Sequence, residues 1–182
     1  MIEVRWHGRG GQGAVTSVEL LAVSAIAAGK FAQGFPSFGP ERRGAPVAAF
    51  TRVADKKIDV RSGIYEPDVV LVLDSSLIGL VNVTEGLKPA GTLIVNTHKT
   101  AEDIRKALNY SGTLALVDGT DIARKEMGVP IANTTMIGAL LKVTGIMNLA
   151  AMKEAIERRF GRIAQKNLNA MKRAYDEIKI YN

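Results

Sequence analysis

A chain of 182 residues with 47% hydrophobic and 23% charged side chains has a globular composition, which excludes disordered and fibrous classes and suffices for a buried core. It has no cysteine, so disulfides, iron–sulfur clusters, cysteine nucleophiles and thiolate zinc sites are excluded together, and two histidines, His7 and His98, are too few to suggest a metal site. The net charge of +6 is uneven: residues 1–63 carry nine basic and five acidic side chains, residues 64–150 seven and nine, and residues 151–182 eight and four.

A basic balance suits phosphorylated ligands, acidic protein surfaces or nucleic acid. With 5% aromatic residues and no Lys/Arg run beyond two, the platforms that stack single strands are missing and no nucleic-acid partner is expected. No apolar run reaches the roughly 18 residues a bilayer requires, and no leader pattern opens the chain. The expectation is a cytoplasmic protein without a membrane partner.

The first predicted element is a strand near residues 2–7, followed by a glycine turn and a helix from Ala14 to Ala28 that Gly29 ends. Residues 31–46 are rich in Gly, Pro and Phe and have no helical period. VAAFTRVA (47–54) and KIDVRS (57–62) then flank Asp55-Lys56 in the manner of a hairpin, an antiparallel interruption of an otherwise parallel pattern.

The rhythm resumes at Pro67-Asp68, which introduces VVLVLD (69–74), a continuous apolar run of the kind found in central buried strands. Ser75 or Ser76 is placed to cap a short helix. Lys88 to Gly91 form a turn into TLIVN (92–96), and Thr100 with Asp103 spells a capping box for a helix through Leu108. TLALVD (113–118) is a further core strand, and a helix near Thr120–Met127 stops at Gly128 and Pro130. From Asn133 onward the pattern is helical, with Asn133 or Thr134 as cap, a break at Gly145 and a last amphipathic stretch from Gln165 to Ile178. Strands alternating with helices predict one three-layer α/β/α domain over residues 1–182. Its sheet is mixed but mostly parallel, with a Rossmann-like glycine turn after the first strand and a helical C-terminus.

The turn carries the strongest local signal. Gly8, Gly10 and Gly13 satisfy G-x-G-x-x-G directly after a strand, so the following helix would aim its unpaired N–H groups at whatever the turn of Gly8, Arg9, Gly10, Gly11, Gln12 and Gly13 holds. A dinucleotide site also needs an acidic residue about 20 positions on, where this chain reads Lys30, Phe31, Ala32 and Gln33, so a nicotinamide-dependent enzyme is disfavoured. The second unusual segment is GFPSFGPERRG (34–44), which includes Ser37, Phe38, Glu41, Arg42 and Arg43. Two readings stand for it: phenylalanines that plug a loop onto the core beneath solvated charges, or arginines whose planar forks face phosphates or a carboxylate-rich partner. His7 at the end of the first strand reads first as a structural histidine, and Arg9 as the better anion contact. Asp74, Asp118 and Asp121 read first as helix caps.

Taken together, HGRGGQG, FPSFGPERRGAPV, PDVVLVLD, GTLIVNT, VDGTDIA, PIANTTMIGAL and KNLNAMKRAYD resemble the gamma subunit of 2-oxoacid:ferredoxin oxidoreductases over nearly the whole chain. The FGPERRGAP form is most similar to the pyruvate (pyruvate synthase) and branched-chain types. The resemblance implies an enzyme that decarboxylates a 2-oxoacid on thiamine diphosphate with Mg, reduces ferredoxin through 4Fe-4S clusters and passes the acyl group to coenzyme A. It places thiamine and clusters on alpha, beta and delta partner subunits, none on this chain. This chain is left with assembly and contact with coenzyme A or a neighbouring subunit, through Gly8–Gly13, Ser37, Phe38, Glu41, Arg42 and Arg43, and no catalytic residue of its own. The alternatives are the same role in a 2-oxoisovalerate or 2-oxoglutarate enzyme, or a free-standing nucleotide-binding module.

Overall fold

The computed structural model describes residues 1–37 and 43–182. Seven strands form one mixed sheet in the order β2-β3-β1-β4-β5-β6-β7. They are β1 (Ile2–Arg9), β2 (Phe31–Pro36), β3 (Pro46–Ala54), β4 (Val69–Val72), β5 (Thr92–Asn96), β6 (Thr113–Val117) and β7 (Lys179–Tyr181). β1, β4, β5 and β6 run parallel, while β3 is antiparallel to both β1 and β2, and β7 is antiparallel to β6. The helices are α1 (Ala14–Ala27), α2 (Ala101–Leu108), α3 (Gly119–Met127), α4 (Asn133–Thr144), α5 (Lys153–Phe160) and α6 (Ala164–Glu177).

The continuous apolar runs become strands buried on both faces. Val69, Leu71, Ile94, Ala115 and Val117 point into a core with α1, α3, α4, α5 and α6. Val70, Val72, Leu93, Val95, Leu114 and Leu116 point the other way, against Ile104 of α2 and against Leu77 and Val83 of the β4–β5 connection. The second outer layer thus contains one helix, α2, where the first contains five. Thr100 and Asp103 make the capping box, each side chain accepting the other's backbone N–H, and Gly128 and Gly145 cap the ends of α3 and α4. α4 and α6 cross at Gly138, where a Cβ would stand 1.9 Å from the Met171 carbonyl oxygen, so only glycine permits that approach.

Three expectations are corrected. β3 does not form a hairpin with residues 57–62, which contain no strand; its partners are β1 and β2. The cause is Arg52, 1% exposed, whose guanidinium donates to the carbonyls of Ser62 (2.8 Å) and Gly63 (3.0 Å) and to Glu3 Oε1 (2.6 Å). Gln33 Nε2 likewise donates to Val60 O (3.2 Å), so residues 57–63 cross the β2–β3 pair instead of extending it. The Gly/Pro/Phe-rich stretch after Lys30 contains a strand, β2, stabilised by stacking of Phe35 on Phe50 at 5.4 Å. The C-terminus is not wholly helical, because β7 closes the far edge of the sheet beside β6. The unit β1-α1-β2 also departs from the dinucleotide pattern: β2 runs parallel to β1 but β3 lies between them.

Candidate functional site

β1 is the strand where the chain changes direction across the sheet, to β3 and β2 on one side and to β4, β5 and β6 on the other. Crevices of open α/β sheets form at the carboxyl ends of such strands. Here a cleft of about 400 Å³ lies at that edge, lined by Gly11 and Gln12 of the turn, Asp74, Asn96, His98, Asp118, Asp121, Arg124 and Asn133.

The two segments singled out in the sequence meet there. Gly10 N–H donates to Ala45 O (2.9 Å) and Gly44 N–H to Gly10 O (3.0 Å), so the return of the 34–44 loop is tied to the glycine turn. Ser37 N–H donates to Ala48 O at the other end of the loop. Arg43 is exposed above Gly11, with its Cγ 3.9 Å from where a Gly11 Cβ would be. Phe38, Glu41 and Arg42 lie outside the described residues.

Arg9 is already occupied. Its guanidinium donates to Asp74 Oδ2 (3.2 Å), to Ser76 Oγ (2.8 Å) and to the carbonyl of Gly44 (3.0 Å). Gln12 accepts the Arg9 backbone N–H through Oε1 (2.8 Å) and donates through Nε2 to Asp74 Oδ2 (2.7 Å). Both side chains therefore shape the turn around Asp74. Burial alone would raise the Asp74 carboxyl, but hydrogen bonds from Ser76 and Gln12 and the charge of Arg9 outweigh it and hold the pKa below the ordinary value. Asp74 also accepts the Ser76 N–H and caps the short 3-10 turn Ser75–Leu77, a role expected of the serines as well as of Asp74. Asp118 caps α3 through the Asp121 N–H (2.9 Å), and the Lys125 hydrogen bond lowers the pKa of Asp121.

His7 is structural, as read from the sequence: its Nε2 accepts from Arg5 Nε at 3.0 Å, and burial, then the Arg5 charge, lowers its pKa to about 4. Arg5 itself is bound by the carbonyls of Val83 (3.1 Å) and Glu85 (2.5 Å). One site residue carried little sequence signal. Asn96, 5% exposed, donates to Leu73 O and Thr120 Oγ1 and accepts the Thr120 N–H, joining the ends of β4 and β5 to the start of α3. Asn133, read from the sequence as a cap or as a side chain lining the same edge, lines the cleft, packs its amide against Gly13 and accepts the Thr134 N–H (2.8 Å), while Ala132 is the N-cap of α4. Among the described residues no group of three or more metal-ligating side chains occurs, and no helix is long and apolar enough to cross a membrane.

This arrangement is that of an α/β fold with a cleft at its switch point. Residues 3–177 match the family described as pyruvate ferredoxin/flavodoxin oxidoreductase, and the chain belongs to it. A relative from Thermococcus kodakarensis, named pyruvate/ketoisovalerate oxidoreductases common subunit gamma, is 51% identical over 183 residues, covering 100% of this chain and 99% of its own. Pyruvate synthase subunit PorC of Methanocaldococcus jannaschii is 51% identical over 179 residues, covering 98% and 97%. The crystal structure of pyruvate oxidoreductase subunit PORC from Thermotoga maritima superposes with a TM-score of 0.89 at 42% identity, covering 100% of this chain and 98% of that one. The chain is therefore a gamma-type subunit of a multi-subunit oxidoreductase.

Proposed function

We propose that this chain, acting as one domain over residues 1–182 in the cytoplasm, is the gamma subunit of an enzyme that oxidatively decarboxylates pyruvate. The assembly would use coenzyme A and ferredoxin and release acyl-CoA, CO2 and reduced ferredoxin. The observation that carries the reading is 51% identity, end to end, with a subunit named as common to pyruvate and ketoisovalerate enzymes. A subunit common to two such enzymes does not choose the 2-oxoacid, so substrate selection falls to the chains that bind thiamine diphosphate and Mg. A chain without cysteine has no thiolate for a cluster, so 4Fe-4S centres belong to the alpha, beta or delta partners.

The contribution of this chain is assembly and a contact at the turn edge. Asp74 neutralises Arg9, Lys125 pairs with Asp121, and Asp118 shares the cleft with Arg124, so the cleft carries no excess of positive charge for phosphate. That favours a phosphate contact on the outer side of the turn, where Arg43 is exposed beside Gly11. Coenzyme A, when bound, supplies the thiol that accepts the acyl group.

The test is reconstitution of the complex with wild-type chain and with Arg42→Ala plus Arg43→Ala. The expected result is a rise of tenfold or more in the coenzyme A KM with the subunit ratio unchanged. An unaltered KM in an intact complex would reduce the role of these arginines to none. The isolated chain is expected to reduce no dye with pyruvate.

A further inference from the structure

Beside the switch-point cleft is a groove of different character, about 370 Å³ in volume, set between α1, the turn after α3 and the corner joining α5 to α6. It shares Gly11, Ile131 and Asn133 with the cleft. Its walls are Met127, Val129, Ile131, Phe160 and Ile163, and Val129, Ile131 and Ile163 are 43%, 45% and 52% exposed. Large aliphatic side chains gathered at one place on a surface mark a contact.

The charged groups of the groove are both cations. Arg159 and Lys166 line it, and among the described residues neither joins an ion pair, although Lys153 and Arg158 on the same helix α5 pair with Glu157 and Glu154. Gly13 and Thr16 bring in the start of α1, a 14-residue helix with no side-chain cap and no acid in its first turn. Asn133 is only 9% exposed and lines the groove; its Oδ1 is taken by the Thr134 N–H, and its Nδ2 has no acceptor among the described residues. No carboxylate lines the groove. An uncapped helix start, an amide donor without a protein acceptor and two unpaired cations suit an anion, and the aliphatic walls suit an apolar bearer of it.

The surface does not end there. Through Thr16 and Arg159 it continues into a second groove between α1 and α5, lined by Glu19, Leu20, Val23 and Arg158, with Val23 49% exposed and Ile26, a turn further on, 58% exposed. From Thr16 to Ile26 the helix covers about 15 Å, a length that suits a segment of polypeptide and exceeds a lone small anion.

We propose that this face receives a segment of a partner subunit. An Asp or Glu side chain, or a terminal carboxylate, sits at the start of α1 between Arg159 and Lys166, and apolar neighbours of that acid cover Val129, Ile131 and Ile163. The inference rests on the gamma-subunit reading and goes beyond it by assigning a face and a partner chemistry.

The test is amine acetylation read by mass spectrometry, on the isolated chain and on the purified complex. Labelling of Lys166 is expected to fall at least tenfold on assembly, and Arg159→Glu plus Lys166→Glu is expected to cut co-purification of partner subunits tenfold while the variant's own thermal midpoint is unchanged. Equal labelling of Lys166 in chain and complex overturns the inference and leaves the gamma-subunit reading intact. Protection that appears only on adding coenzyme A, or in the concentrated isolated chain, also overturns it, in favour of a small ligand or a second copy. If the wild-type chain co-purifies with no partner at all, both readings fall.

Discussion

Gly13→Ala tests how the glycine turn is held. Gly13 has φ +83°, where an L side chain costs about 1 kcal/mol, and its Cβ would stand 2.4 Å from Asn133 Nδ2 and 3.1 Å from Asn133 Cγ. Asn133 would have to move, forfeiting the 2.8 Å bond it accepts from the Thr134 N–H, worth about 1 kcal/mol, in a site that is nearly closed. The total destabilisation is expected to be about 2–3 kcal/mol. Gly145→Ala is the control, because Gly145 has φ +59° with nothing within 4 Å of its Cβ position, so about 1 kcal/mol is expected there. Urea unfolding followed by far-UV circular dichroism measures both, and adding Asn133→Ala to Gly13→Ala should recover about 1 kcal/mol of the difference. The reasoning is refuted if Gly13→Ala is no worse than Gly145→Ala, or if Asn133→Ala simply adds its own destabilisation.

Other expectations come from the same inspection of contacts. Gly138→Ala, which would press a Cβ against the Met171 carbonyl at 1.9 Å, should force α4 and α6 apart and destabilise by about 3 kcal/mol or more, measurable as a lowered urea midpoint. Arg52→Leu removes the partner of Glu3 and of the Ser62 and Gly63 carbonyls; a loss of about 3–5 kcal/mol is expected, and a change below 1 kcal/mol would show that residues 57–63 are held by something else. His7 has a folded pKa of about 4 against 6.5 for the free side chain, so the unfolded chain binds the extra proton between those values. Its contribution is therefore complete above about pH 6.5 and is lost as pH falls towards 4, up to about 3 kcal/mol. Imidazole NMR titration reads this directly, and a His7 midpoint near 6.5 would contradict it.

The strands that were legible in the sequence are those whose burial on both faces leaves a continuous apolar run, β4, β5 and β6, and the helices bounded by local caps such as Thr100 with Asp103 and Gly128. What misled was pairing between distant segments. KIDVRS alternates like a strand, but Arg52, buried beneath it, takes the carbonyls of Ser62 and Gly63. β7 has three residues, too few for a period to show. In the candidate site the glycines and the proximity of the 34–44 loop could be anticipated. The pairing of Arg9 could not be read, because Asp74, which accepts from it, is 65 residues away. Asn96 gives no pattern at all, since one asparagine at a strand end is compatible with many roles.

The strand order also imposes a timetable. β1 is made first but lies inside the sheet, and its two neighbours arrive at very different times: β3 is complete at Ala54, whereas β4 begins only at Val69. While the chain is being synthesised, β1, α1, β2 and β3 can therefore associate early with one side of β1 still unpaired, a row of N–H and C=O groups open to any passing strand. At about 5–20 residues per second, residues 55–68 take roughly one to three seconds to emerge. That interval is spanned by Asp55, Lys56, Lys57, Asp59, Arg61, Glu66 and Asp68, a density of charge that discourages strand addition between nascent chains until the proper neighbour arrives.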